Sequence, residues 1–181
     1  MQENNYVIVD GELYHYGVPG MRCGKRKAMR IENRATRKYK KAGVNLGKAD
    51  YWKQSGNKTY KTYNAGAKTL ENQSKKFEQK GNAIGAELAK RSASALREKG
   101  KSARAEKYAL ADRYSKKAEK NKEKAAKYTT KKRVDLGNKK IEGIIGESRK
   151  KGYEYAKGSE RYGREQDMKE AYARAKKYGR R

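Results

Sequence analysis

The hydrophobic pattern of this chain changes period once. From Tyr6 to Tyr16 apolar positions alternate as in a strand, and beyond about Lys25 they recur thinly at helical spacing. Tyr6-Val7-Ile8-Val9 is β-branched and aromatic, Asp10-Gly11 is a favoured two-residue type I′ turn, and Glu12 to Tyr16 returns. That loop length predicts the pairs Val9 with Glu12, Ile8 with Leu13 and Val7 with Tyr14, so Tyr6, Ile8, Leu13 and His15 share one face. A lone hairpin is marginal in water, and this one is expected to dock on a helix or a partner. Gly17-Val18-Pro19-Gly20 follows, with Pro19 and Gly20 suited to the two central positions of a type II turn.

After Pro19 there is no further proline, and Ala, Lys, Glu, Arg, Gln and Tyr dominate. Such residues favour or tolerate a helix, which predicts helices over 25–42, 57–80, 82–99, 101–136, 138–151 and 153–178. Gly43, Gly56, Gly81, Gly100, Gly137 and Gly152 mark the joints, and Asn57 and Ser102 stand where N-caps would help. Because glycine costs a helix interior only about 1 kcal/mol relative to alanine, some joints can be read through, giving one helix over roughly 82–136. Stepping 4-4-3 from Ile84 collects Leu88, Ala95, Ala103, Leu110, Tyr114, Ala125, Tyr128 and Leu136 among more polar positions, a diluted apolar face. Ile141, Ile144 and Ile145 form the other greasy point.

Composition explains the dilution. Leu, Ile, Val and Phe number 7, 6, 5 and 1 of 181 residues, below the share of roughly one fifth that a compact core requires. With so little to bury, the chain is expected to be extended or ordered by what it binds. The predicted fold is mainly α: extended, basic long helices with a small N-terminal β-hairpin and little compact core. Two parts are expected, a hairpin-and-turn docking module at 1–26 and a basic helical body at 27–181, partly disordered when unbound.

Charge sharpens that division. Residues 1–14 hold Glu3, Asp10 and Glu12 and no Lys or Arg, so the rest carries all 49 basic groups against 18 acidic ones. A polycation of this density seeks polyanions: nucleic acid first, then an anionic membrane or an acidic protein surface. Membrane binding fits less well, since basic amphipathic helices oppose their charges with Trp, Phe and Leu, and here the apolar faces are mostly alanine. No apolar run approaches the roughly twenty residues of a membrane span, and no basic-then-apolar leader opens the chain. The protein is expected to act inside a cell or a particle assembled there.

Enzyme chemistry is not expected. Acid–base and metal catalysis need converging His, Cys or carboxylates, whereas His15 and Cys23 are single and the acids are scattered among lysines. Lys25 and Arg26 would favour a Cys23 thiolate, but no third group orients a dyad with His15. Gly17, Gly20 and Gly24 loosely resemble a phosphate loop, yet Gly24-Lys25-Arg26 lacks the hydroxyl that holds magnesium. One cysteine also excludes an internal disulfide and a cysteine-rich zinc site. No catalytic, metal or cofactor residue is assigned.

Nucleic-acid binding is the better reading. Fourteen of the 15 tyrosines lie beyond the first strand, most of them among Lys and Arg. Tyrosine can stack on bases while its neighbours contact phosphates. The candidate contacts are Arg37, Lys38, Tyr39, Lys40 and Lys41; Lys116 and Lys117; Lys131, Lys132 and Arg133; and Lys176, Lys177, Tyr178, Arg180 and Arg181. With no helix-turn-helix, zinc-finger or RNA-binding signature, contact with DNA should be sequence-independent.

Residues 15–26 resemble a short motif of tailed-phage and prophage proteins, roughly His-His/Tyr-Gly-Val-Lys-Gly-Met-Lys/Arg-Trp-Gly-x-Arg. The matching positions are His15, Tyr16, Gly17, Val18, Gly20, Met21, Arg22, Gly24 and Arg26; Pro19 stands for the usual Lys and Cys23 for the usual Trp. The resemblance implies a head-associated structural protein, with residues 1–26 attaching it to a virion component in the capsid interior after assembly in the host cytoplasm. Its basic helices would then meet packaged DNA or an acidic capsid surface. The alternatives are a capsid lining, cement or scaffold-like protein without DNA contact, and a cellular histone-like or ribosome-associated protein.

Overall fold

A computed structural model describes residues 6–9, 12–15, 23–132 and 136–178. The chain is mainly α-helical. After strands β1 (Tyr6–Val9) and β2 (Glu12–His15) come α1 (Cys23–Gln79), α2 (Ala83–Lys132) and α3 (Asn138–Tyr178). The strands pair antiparallel, with Ile8 opposite Leu13 and Tyr6 opposite His15. The Asp10-Gly11 and Pro19-Gly20 turns lie outside the described residues. Helix α1 starts at Cys23, so the expected boundary at 26/27 falls within its first turns.

Six predicted helical segments merge into three. Only Gly81 and Gly137 are joints, with φ of 72° and 66°. At the end of α1 the Asn82 amide donates to the Phe77 carbonyl (2.9 Å) and the Gly81 amide to the Glu78 carbonyl (3.0 Å), a Schellman arrangement that needs a left-handed residue at Gly81. Asn82 then caps α2, its Oδ1 accepting from the Gly85 amide at 2.8 Å. The expected caps Asn57 and Ser102 are instead interior to α1 and α2.

The other expected joints run through as helix because tertiary contact there requires glycine. A Cβ at Gly47 would overlap the Arg149 carbonyl oxygen, and one at Gly152 the Val44 carbonyl oxygen. These positions, with Gly43 and Ser148, form two small-residue pairs spaced by four, and they let the backbones of α1 and α3 touch. Gly100 likewise faces Tyr63, and Gly56 faces Lys107 and Tyr108, where α1 meets α2. Packing against the neighbouring helix offsets the propensity cost that suggested breaks.

The seam between α1 and α2 is built of alanine. On α1, Ala35, Ala42, Ala49 and Gly56 recur at intervals of seven and are buried, with Tyr39 buried among them and Ala67 and Ser74 buried farther along. On α2, besides Ala89, the buried positions are Ala86, Ala93 and Gly100, then Ala111, Ala118 and Ala125, two seven-residue series separated by eleven. A period of 3.5 with a four-residue insertion marks a coiled-coil-like pair carrying one stutter. The 4-4-3 face expected from Ile84 is corrected at its start: Ile84 and Leu88 are 85% and 66% exposed, while Ala86 and Ala89 point inward. Farther along, Ala125 and Leu136 do reach the core, packing with Ala35 and Tyr39 against Ile141, Ile144 and Ile145.

Helix α1 runs antiparallel to α2, since Ser74 Oγ donates to the Ala86 carbonyl (3.0 Å) and Ala35 packs near Ala125. It runs parallel to α3, with Glu32 bonded to Lys140 and Ser55 to Glu160. The backbones of α2 and α3 do not approach one another closely. Acidic residues set this register. Helix α1 has four: Glu32 pairs with Lys140 (2.6 Å), Asp50 with Arg149, Glu71 with Arg97 (2.7 Å) and Glu78 with Lys90 (2.7 Å). Each exposed pair contributes at most about 1 kcal/mol, but four together distinguish this alignment from a shifted one.

Candidate nucleic-acid interface

The use of α1's carboxylates between helices determines what the outside presents. With 49 Lys and Arg against 21 acids, 28 cations stay uncompensated even if every acid is paired. Arg37, Lys40 and Lys41 on α1 and Lys116 and Lys117 on α2 are exposed. They sit at one level of the antiparallel pair, bracketed by the Ala35–Ala125 contact and by Lys48 Nζ, 5.4 Å from the Tyr114 ring. Lys38 beside them is half-buried. Lys131 and Lys132 end α2, and Lys176, Lys177 and Tyr178 end α3. Arg133, Arg180 and Arg181 lie outside the described residues. The expected contacts therefore do not converge: Lys176 lies about 45 Å along α3 from the level of Lys41, at the 1.5 Å rise per residue of a helix.

The tyrosines require a correction. Tyr39, expected to stack on a base, is buried in the core cluster. Tyr51 is buried as well, its ring edge-on to Trp52 and Tyr153 at 5.5 and 5.3 Å. Between α1 and α2 the Arg104 guanidinium lies 5.2 Å from the Tyr60 ring and 5.1 Å from the Tyr108 ring, and the Tyr108 hydroxyl donates to Asn57 Oδ1 (3.1 Å). Most of these rings thus fill gaps beside alanine and glycine and cover cations internally. Tyr155 and Tyr162, seven residues apart on α3 and both about 65% exposed, are open to a partner.

One polar node joins all three helices, and nothing in the linear pattern of residues signals it. Glu160 of α3 accepts from the Tyr51 hydroxyl, from Ser55 Oγ (3.1 Å) and from Lys107 Nζ (2.9 Å), while an Arg164 guanidinium nitrogen stands 3.6 Å away. Lys107 also donates to Ser55 Oγ (2.8 Å) and Thr59 Oγ1 (2.9 Å). Burial alone would raise the Glu160 carboxyl, but the hydrogen bonds from Tyr51, Lys107 and Ser55 outweigh it and hold the group below its ordinary range. Burial, then the adjoining carboxylate, pushes the Tyr51 phenol up to about 12. A cleft of about 610 Å³ opens beside the node, with Lys58 on one wall and Lys157 and Arg164 on the other.

Of the docking-motif positions, His15 ends β2, and Gly24 and Arg26 lie in the first turns of α1. Tyr16, Gly17, Val18, Gly20, Met21 and Arg22 lie outside the described residues. Among the described residues no group of three His, Cys, Asp or Glu could hold a metal ion, and no helix is long and apolar enough to cross a membrane.

A family described only as a family of unknown function (DUF7211) matches residues 7–30, a stretch that takes in the hairpin, the motif and the start of α1. No curated protein and no solved structure matches the chain.

Proposed function

We propose that this protein is a non-enzymatic structural component of a bacteriophage virion, associated with the head, that docks through residues 1–26 and carries cationic helices onto packaged DNA. The observation that carries the DNA contact is the disposition of charge. The acids of α1 pair with α2 and α3, the chain carries a surplus of 28 positive charges, and among the described residues Arg37, Lys40, Lys41, Lys116 and Lys117 are exposed on the rods. Such a surface binds phosphates by releasing counterions, without reading bases. The docking role rests on the phage motif from His15 to Arg26, and the family match over 7–30 is consistent with treating that stretch as a unit.

DNA-cellulose chromatography of the full chain at rising salt tests the contact. Retention to several hundred millimolar salt, with equal affinity for unrelated sequences, is expected. Elution at low salt would refute it.

A further inference from the structure

We propose that the cleft beside Glu160 is a built phosphate site, and that it takes a phosphodiester of the bound nucleic-acid strand. This rests on the DNA-binding reading above and names where on the molecule that contact is strongest. The cleft lies where α3 passes the α1–α2 pair. Past Glu160, the side chains of Arg161 through Glu165 are exposed and no longer bury against α1.

Accounting for donors and acceptors identifies the ligand class. The cleft has one carboxylate, Glu160, and it is engaged by Tyr51, Ser55 and Lys107. Already neutralised by Lys107, it is a poor ligand for a further cation. The hydroxyls are committed too. Ser55 and Tyr51 donate to Glu160, Thr59 and Thr62 donate to carbonyls one turn back at 2.9 and 3.1 Å, and Tyr153 donates to Gln54 at 2.7 Å. Apart from the Gln54 side-chain amide, the donors left over are cationic. Lys58 makes no ion pair among the described residues, Lys157 has only a 3.7 Å approach to Glu154, and Arg164 reaches Glu160 only at 3.6 Å with 69% of its side chain exposed. Surplus donors that are mostly cationic, beside a carboxylate that is already paired, favour an anion. A guanidinium and ammonium groups on facing walls suit a tetrahedral phosphate.

The cleft is open to solvent rather than enclosed, as a site for one phosphate of a longer strand must be. These groups flank a node that ties all three helices together, unlike the scattered lysines elsewhere.

The test measures binding of a 20-base-pair duplex by fluorescence anisotropy across a salt series. It compares the full chain, Lys58→Gln with Arg164→Gln, and a control of equal charge loss, Lys116→Gln with Lys117→Gln. The substituted side chains are exposed, and circular dichroism checks that each variant folds. The cleft variant is expected to lose at least tenfold in affinity and to lower the log–log salt slope by about 2, near one for each phosphate no longer neutralised. The control should lose severalfold less. Inorganic phosphate at millimolar concentration should compete with the duplex on the parent chain and not on the cleft variant. Equal losses in the two variants would overturn the site while leaving DNA binding intact. Absence of duplex binding by the parent chain would overturn both readings.

Discussion

Replacing Gly47 with alanine and replacing Gly143 with alanine should move stability in opposite directions. Both lie inside helices, where alanine is favoured over glycine by about 1 kcal/mol. At Gly143 nothing stands within 4 Å of the new Cβ, so Gly143→Ala should realise most of that gain, about 0.5–1 kcal/mol. At Gly47 the Cβ would overlap the carbonyl oxygen of Arg149, and the Tyr153 amide nitrogen would lie 2.6 Å away. Both are backbone atoms, which no rotamer change can move. Overpacking costs about 1–3 kcal/mol, toward the upper end when backbone must shift, so Gly47→Ala should be net destabilising by about 1–2 kcal/mol. Urea unfolding followed by circular dichroism at 222 nm reads both. In a chain of this size the midpoint temperature should fall by about 2–4 °C for each kcal/mol of destabilisation. Gly152→Ala, which meets the Val44 carbonyl at the same crossing, should be less than additive with Gly47→Ala, because one separation of the helices accommodates both methyl groups. If Gly47→Ala stabilised the protein as much as Gly143→Ala, α1 and α3 would not be in backbone contact in solution, and the account of the read-through glycines would fail.

Two further measurements address the node and the α1–α2 turn. Glu160→Gln leaves Lys107 short of its counter-charge and should cost about 2 kcal/mol at neutral pH, as for a hydrogen bond to a charged group. Because the folded Glu160 carboxyl is depressed below its ordinary value of 4.5, its contribution is fully present above that pH and is lost as pH falls through the folded value; the parent and Glu160→Gln curves should converge in acid, and a gap that persisted there would refute the assignment. Asn82→Ala removes the side-chain cap of α2 and should destabilise by about 1 kcal/mol in thermal unfolding, whereas Asn57→Ala, at an interior position, should show no capping loss.

Much of the fold is legible in the chain, and what is not has a common cause. Good helix formers without proline predict long helices, and the possibility of reading through Gly100 is realised in Ala83–Lys132. Glycine alone does not say whether it ends a helix or admits a neighbour. Gly81 and Gly137 do the first, and Gly47 and Gly152 the second. The four-residue spacing of Gly43 with Gly47 and of Ser148 with Gly152 is the available clue. Pattern reading places the apolar face on Ile84 and Leu88 because large aliphatics dominate any hydrophobic pattern. The working seam consists of alanines, whose methyl groups each contribute little and which recur every seven residues on both helices. At the candidate interface, a tyrosine between lysines has the same local sequence whether it faces solvent or a glycine across a helix pair. Tyr39, beside Lys38 and Lys40, is buried, whereas Tyr128, beside Lys127, is exposed, and only the register tells them apart. Glu160 is indistinguishable from the other acids of α3 for the same reason: its partners lie more than fifty residues away.

The arrangement of both neighbours on α1, with no close backbone approach between α2 and α3, divides the molecule energetically as well as geometrically. Helix α3 can open from α1 while the α1–α2 seam stays closed. That partial opening disrupts the small-residue crossing, two ion pairs, the Glu160 node and the packing of Ile141, Ile144 and Ile145 on the Ala35–Ala125 cluster, and it leaves the rest of the alanine seam in place. Its free energy must therefore lie below that of global unfolding, so the protein has at least two cooperative units of different strength. Solutes that weaken charge pairing lower the smaller barrier preferentially, and α3 is the unit most readily exchanged, proteolysed or re-seated when a polyanion competes for its cations.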